Sequence, residues 1–236
     1  MASFQELRQC RWFHASGPLR GGIVSHVHRP GLSFGSTELR DLAIAWVVLS
    51  IAFAILLTRE PGTGGPNPAE LPRMTILSLL TVGVGFIGHE LAHKIVAIRF
   101  GQVAEFRADY GMLFLAVMSA LIGFLFAAPG AVYHRGRITV GQNGLIALAG
   151  PLTNHVLAIA FLPLMFAPQL VGAPALVGEI GQLGVWINVF LAAFNMIPYG
   201  PLDGASVKKW HTGIFVLVFV PSVLLAAYVI LFVGIQ

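Results

Sequence analysis

Six apolar stretches of about twenty residues each dominate this chain and limit what it can fold into. A helix that crosses the hydrocarbon core of a bilayer needs about 20 mostly apolar residues. Only 10% of the 236 residues are charged, whereas soluble domains average about 25%. The chain is therefore predicted to be an all-α, polytopic, integral membrane protein. The apolar stretches cover approximately residues 41–58, 74–98, 111–132, 142–166, 176–197 and 213–234.

The polar residues are concentrated at the start of the chain and between the apolar stretches. Residues 1–40 are predicted to form a basic cytoplasmic segment, and residues 41–236 a single membrane domain. Basic loops at the membrane surface explain the net charge of +4, so the expected partner is the lipid bilayer and not nucleic acid. The single cysteine, Cys10, excludes an intrachain disulfide and a cysteine-based zinc site.

The distribution of basic residues favours one membrane topology. If all six stretches cross the membrane and the N-terminus is inside, the inside loops carry seven Lys and Arg residues and the outside loops six. If residues 111–132 enter and leave on the same side, the counts become eleven and two. The positive-inside rule favours the second arrangement. We therefore expect five spanning helices plus one re-entrant element, either a short β-hairpin or a broken helix, with six spans as the alternative.

The second apolar stretch contains the sequence His89-Glu90-Leu91-Ala92-His93. Residues four apart share one helix face, so His89 and His93 can bind the same zinc ion. Glu90 is rotated by about 100° from His89, which lets it act as a base on a water beside the metal. Ionisable residues inside a membrane are energetically expensive and mark functional sites. Lys94, in the same helix, is expected to extend toward the inner membrane surface.

A catalytic zinc site has three protein ligands and an open position for water. Asp203 is the best candidate for the third ligand, because it is an isolated acid at the end of the fifth apolar stretch. Pro198 and Pro201 interrupt the helix before it, and Gly204 permits a close backbone approach or a positive φ. In the five-span topology, Asp203 and the two histidines lie near the same membrane face.

These motifs resemble those of the site-2 protease family of intramembrane zinc metalloproteases (peptidase family M50). The resemblance rests on residues 89–93, on Asn195 to Gly204, and on Gly150-Pro151-Leu-Thr-Asn154 between them. It covers about residues 74–210, the expected catalytic core, and is nearest to minimal archaeal members. The resemblance implies one bound Zn²⁺, with His89, His93 and Asp203 as ligands and Glu90 as the catalytic base.

The same resemblance implies regulated intramembrane proteolysis, in which a transmembrane segment of a single-span protein is cut. It also suggests that Asn154 and Asn195 bind substrate or stabilise the oxyanion, although asparagines in apolar helices also hydrogen-bond neighbouring helices. The region 105–132 is expected to offer a strand edge to an unwound substrate. The enzyme is expected in the cell membrane, with its active site nearer the cytoplasmic face.

Other interpretations of the polar residues remain open at this point. One is a catalytically silent homologue that binds membrane proteins, and another is a metal transporter that uses the same histidines. His155 is expected to form an interhelical hydrogen bond. His26 and His28 are expected to lie in a solvated loop and not to bind a metal.

Overall fold

The computed structural model describes residues 31–60, 62, 64–126 and 128–233, with side chains up to residue 231. Most of the basic N-terminal segment, including His26 and His28, lies outside these residues. In this described part of the chain, five helices are long and apolar enough to cross a membrane, in agreement with the five spans predicted. They are α1 (Ser36–Leu57), α2 (Leu71–Arg99), α4 (Val140–Val171), α5 (Ala175–Asn195) and α7 (Thr212–Tyr228), the last continued by a π-helical turn over Val229–Val233.

The remaining apolar stretch folds into a strand–helix–strand unit. Strands β1 (Val103–Ala108) and β2 (Gly130–Arg135) pair in antiparallel register around helix α3 (Tyr110–Ile122). A helix of this length measures about 20 Å, too short to cross a core of about 30 Å. Because the two strands pair, the chain leaves this unit at the end where it entered it. The predicted re-entrant element is thus a combination of the two forms expected, a β-hairpin with a short helix at its tip.

Helix α3 lies alongside α1. At its first turn, the Tyr110 hydroxyl donates to Asp41 Oδ1 over 2.9 Å. At its last turn, the Arg59 side chain beyond the end of α1 donates to the Leu121 carbonyl. The two helices therefore run in the same direction, from the start of α1 toward its end.

Glycines set the close approach of neighbouring helices. A Cβ atom on Gly181 of α5 would lie 2.1 Å from the backbone nitrogen of Met165 in α4, and one on Gly83 of α2 would lie 2.2 Å from the Trp46 ring in α1. Small residues at such contacts let helix backbones pack tightly in membranes. The largest buried apolar cluster joins α1, α2, α3 and α5, with Phe53 edge-on to the rings of Trp186 and Phe190.

A buried ion pair joins the start of α1 to the end of α2. Lys94 Nζ lies 2.6 Å from both carboxylate oxygens of Glu38, and it also donates to the Ser33 carbonyl. Lys94 is 2% exposed and Glu38 1%, so the expectation that Lys94 extends to the membrane surface was wrong. Glu38 lies 56 residues before Lys94 in the sequence but beside it in space, and it satisfies the ammonium group within the protein. The pair places the N-terminal end of α1 beside the C-terminal end of α2.

Candidate metal centre

Two separate elements bring the three predicted ligands together. His89 and His93 lie one turn apart in α2 and are 5% and 7% exposed. Asp203 is the first residue of a short helix, α6 (Asp203–Trp210), after the irregular turn that follows α5. Gly204 makes that turn possible, because a Cβ atom there would lie 2.1 Å from the Met196 carbonyl oxygen. Close approach, rather than a positive φ, is therefore the reason for glycine at this position.

The ligand atoms form a compact triangle. His89 Nε2 lies 2.9 Å from His93 Nε2, and Asp203 Oδ2 lies 3.2 Å and 3.3 Å from the two nitrogens. Ligands about 2.0–2.1 Å from a tetrahedral zinc ion are separated by about 3.3 Å. The three residues form the one His, Cys, Asp and Glu group able to hold a metal in the described part of the chain.

The hydrogen bonds behind the histidines direct their free electron pairs toward this triangle. His93 Nδ1 lies 2.7 Å from the Ile146 carbonyl oxygen, which can only accept, so Nδ1 carries the proton. His89 Nδ1 lies 2.6 Å from Asn154 Oδ1 and likewise donates. In a neutral imidazole the other nitrogen is then an acceptor. Both Nε2 atoms therefore offer lone pairs to the same point.

The third corner of the triangle also lacks a donor. Asp203 Oδ2 is buried without a hydrogen-bond partner. Buried acceptors without donors are costly, and three of them converge here. A cation would satisfy all three at once, and neutral imidazole and carboxylate are the ligands that zinc prefers. The residues present thus fit a zinc ion.

Helix α4 approaches the centre at a residue without a side chain. A Cβ atom on Gly150 would lie 2.5 Å from His89 Cε1 and from His93 Nε2. Only glycine leaves room for both imidazoles against this helix. The Gly150-Pro151-Leu-Thr-Asn154 sequence therefore serves the site twice, since Asn154 accepts from His89 one turn later.

A cavity of about 250 Å³ opens in front of the three ligands. Glu90 lines it, 7% exposed, together with Asn195 and residues 130–134 of β2. Leu49, Phe86 and Leu191 form part of its apolar wall. The cavity therefore combines a candidate metal site, a carboxylate beside it and a strand edge.

The two predicted asparagines occupy different positions. Asn195 lines the cavity, and its Nδ2 donates to the Leu191 carbonyl. Asn154 is fully buried behind His89 and is absent from the cavity lining. His155 forms the expected interhelical hydrogen bond, with Nε2 3.1 Å from Ser222 Oγ in α7.

Sequence reasoning missed Asn188 in α5, which is fully buried and contacts Asn154. A signal for it was available. Asn188 and Asn195 are seven residues apart, so they lie on one face of the same helix. A second asparagine on the helix face of Asn195 indicates that this face is polar and packs toward the protein interior.

Comparison with known proteins finds relatives across most of the chain. These relatives are named "Putative zinc metalloprotease". MJ0611 of Methanocaldococcus jannaschii is 43% identical over 194 residues, which are 80% of this chain and 93% of that protein. Rip3 of Mycobacterium tuberculosis is 31% identical over 70% of this chain and 39% of its own length. YwhC of Bacillus subtilis is 34% identical over 53% of this chain and 64% of its own length.

No protein-family model matches the chain, and no solved structure matches it. The similarity to MJ0611 nevertheless spans most of both proteins. Together with the geometry of His89, His93 and Asp203, it supports a zinc protease. The chain belongs to the site-2 protease family of zinc metalloproteases.

Proposed function

We propose that this protein is an intramembrane zinc endopeptidase of the M50 type that cuts transmembrane segments of single-span proteins. The observation that carries the proposal is the convergence of His89 Nε2, His93 Nε2 and the unpartnered Asp203 Oδ2 at one cavity, with no two of these atoms more than 3.3 Å apart. Two of them belong to a helix long and apolar enough to cross a membrane. A hydrolytic site at that depth reaches peptide bonds that are themselves in the bilayer.

The protein's own residues divide the work of hydrolysis. Zinc, when bound by His89, His93 and Asp203, supplies a Lewis acid that polarises the scissile carbonyl and makes water acidic. Glu90 takes the proton of the attacking water and passes it to the leaving amine. Asn195 has a second amide hydrogen beyond the one given to Leu191, and this hydrogen stabilises the developing oxyanion.

The β-hairpin supports binding of the substrate as an added strand along β2. The outer edge of β1 is already covered, because Phe106 N donates to Glu38 Oε1 over 3.1 Å and Ala108 N to Asp41 Oδ2 over 3.4 Å. Phe106 is paired with Val132, and Ala108 with Gly130, in the antiparallel register. Val132 and Gly130 therefore also direct their backbone N–H and C=O groups outward, away from β1. These groups form the free edge of β2, which lines the cavity.

Strand addition supplies the extended backbone that hydrolysis requires. A transmembrane helix hides its peptide bonds inside its own hydrogen bonds. Pairing with β2 replaces those bonds when the helix unwinds, so that the segment can lie beside Glu90 without unsatisfied backbone groups. Proline or glycine in the substrate lowers the cost of unwinding.

The topology we propose places the active site nearer the cytoplasmic face. The end of α2, the hairpin and the start of α4 lie at the end of the molecule where α1 begins, as the Lys94–Glu38 pair shows for α1 and α2. His93 is six residues before the end of α2, or about 9 Å along the axis. Most basic residues flank this end, and Arg59 and Arg73 flank the other, so the positive-inside rule makes this end cytoplasmic.

The metal content of the purified protein is the first test. Wild type in detergent is expected to hold about one zinc per chain, and Asp203→Ala to lose most of it because the donor triangle is broken. Glu105→Ala, which removes a partly exposed acid of β1 outside the cavity, is the matched control and should keep its zinc. A folded wild type without zinc would contradict the proposal.

Cleavage is tested with a single-span protein reconstituted beside the enzyme. Mass spectrometry should locate a cut within its transmembrane segment for wild type and Glu105→Ala. Glu90→Gln should retain zinc and lose cleavage, since the amide cannot accept the proton. Equal function in Glu90→Gln would instead favour a silent binding homologue, and zinc flux into vesicles would favour a transporter.

A further inference from the structure

The two metal-binding histidines are held in different ways. His93 donates to the carbonyl of Ile146, whose direction is fixed by the backbone of α4. His89 donates to the side-chain amide of Asn154. An amide can turn by 180° and present its NH₂ group where its oxygen stood. A turned Asn154 would demand the opposite tautomer of His89 and move the proton to the nitrogen that faces the metal.

The orientation of Asn154 is set by two acceptors on two other helices. Its Nδ2 donates to the Gly85 carbonyl over 3.0 Å and to Asn188 Oδ1 over 2.9 Å. With both hydrogens of the NH₂ group used in this way, Oδ1 is the atom left for His89. Asn154 and Asn188 are both 0% exposed, so water cannot replace a lost partner cheaply.

Asn188 is itself an amide and is oriented in turn. Its Nδ2 donates to the Gly184 carbonyl over 2.8 Å, four residues earlier in α5. This fixes Oδ1 as the group presented to Asn154. The space for it comes from Gly85, where a Cβ atom would lie 3.0 Å from Asn188 Oδ1. The direction of one backbone carbonyl in α5 is thus transmitted through two amides to the imidazole of His89.

We propose that Asn188 is a positioning residue of the metal centre, which acts through Asn154 to hold His89 in the tautomer that presents its Nε2 lone pair to zinc. This inference rests on the zinc binding of the proposed function. Partners beyond the metal ligands typically change metal affinity 10- to 100-fold when they are removed. Asn188 is one residue further away, and Gly85 still holds Asn154, so we expect a loss near tenfold.

Two variants remove the contact and one preserves it. Asn188→Leu removes all polar groups at nearly constant shape. Asn188→Ser keeps a hydroxyl that can donate to the Gly184 carbonyl but cannot reach Asn154, so it removes the contact with less disturbance of α5 and serves as the test if the leucine variant does not fold. Asn188→Asp keeps an oxygen facing Asn154, and as a neutral carboxyl it can also donate to Gly184. Thr81→Val removes a fully buried hydroxyl in the helix that carries His89 and is the matched control.

Zinc affinity by chelator competition and the visible spectrum of the Co²⁺-substituted protein are the two measurements. Asn188→Leu and Asn188→Ser should bind zinc about tenfold more weakly and change the Co²⁺ bands, because the geometry at His89 is no longer enforced. Asn188→Asp should recover much of the affinity, and Thr81→Val should match wild type in both measurements.

Wild-type affinity and an unchanged Co²⁺ spectrum in Asn188→Leu or Asn188→Ser would overturn the role of Asn188 while leaving the metal centre intact. An equal loss of affinity in Thr81→Val would also overturn it, since the loss would then reflect general destabilisation. A folded wild type that binds neither zinc nor Co²⁺ would overturn the metal centre and this inference with it.

Discussion

Replacement of Gly150 by alanine gives the sharpest test of the metal centre, because it adds one methyl group and removes nothing. The new Cβ atom would lie 2.5 Å from His93 Nε2 and 2.6 Å from His89 Nε2. Ordinary contacts of such an atom begin at 3.4 Å, so the rings must move by roughly 0.8–0.9 Å. Metal–ligand distances tolerate only about 0.2 Å. We therefore expect Gly150→Ala to lose most of its zinc.

Gly141→Ala is the control for this change. It lies in the same helix, and its Cβ atom would approach Trp210 no closer than 3.4 Å. Alanine favours a helix interior over glycine by about 1 kcal/mol, so helix propensity alone would stabilise Gly150→Ala and cannot explain a loss of zinc. Zinc is measured by atomic absorption on folded, detergent-solubilised protein. If Gly150→Ala holds zinc with the stoichiometry and affinity of Gly141→Ala, the placement of α4 against the histidines is refuted.

Further perturbations separate stability from chemistry. Lys94→Met should destabilise the protein by about 3–5 kcal/mol in detergent unfolding, because it leaves the buried Glu38 carboxylate without its partner. The double variant Lys94→Met with Glu38→Gln should recover stability. Equal stability of the single and the double variant would contradict the pairing. Arg73→Met, which breaks the exposed pair with Glu179, should cost less than about 1 kcal/mol in the same assay. Gly181→Ala should lower the unfolding temperature despite its better helix propensity, since its Cβ atom would meet the Met165 backbone; an unchanged or higher temperature would refute the close α4–α5 contact. Acidification should release zinc reversibly, because protons compete for the same nitrogen and oxygen atoms, and retention of zinc at low pH would argue against imidazole ligands.

The local sequence was sufficient for the elements that depend on short-range patterns. The length of the apolar stretches predicted the five candidate spans, and the charge bias predicted that residues 111–132 would turn back. The spacing of His89 and His93 and the prolines before Asp203 predicted the ligand set that the structure brings together. These patterns are strong in a membrane protein, because a helix that spans the bilayer must be mostly apolar and a charged residue within it is costly unless it serves a function.

What the sequence could not supply were contacts between residues far apart in the chain. Lys94 was expected at the membrane surface, and only the packing of α1 against α2 places Glu38 within 2.6 Å of it.

For Asn154 the sequence left open a substrate role or a hydrogen bond to a neighbouring helix, and only the meeting of α2, α4 and α5 shows it behind His89 and in contact with Asn188. Residue type and spacing determined which groups could bind a metal. Tertiary structure alone decided which acceptors keep those groups in the required tautomer, because the direction of a hydrogen bond depends on the relative placement of helices.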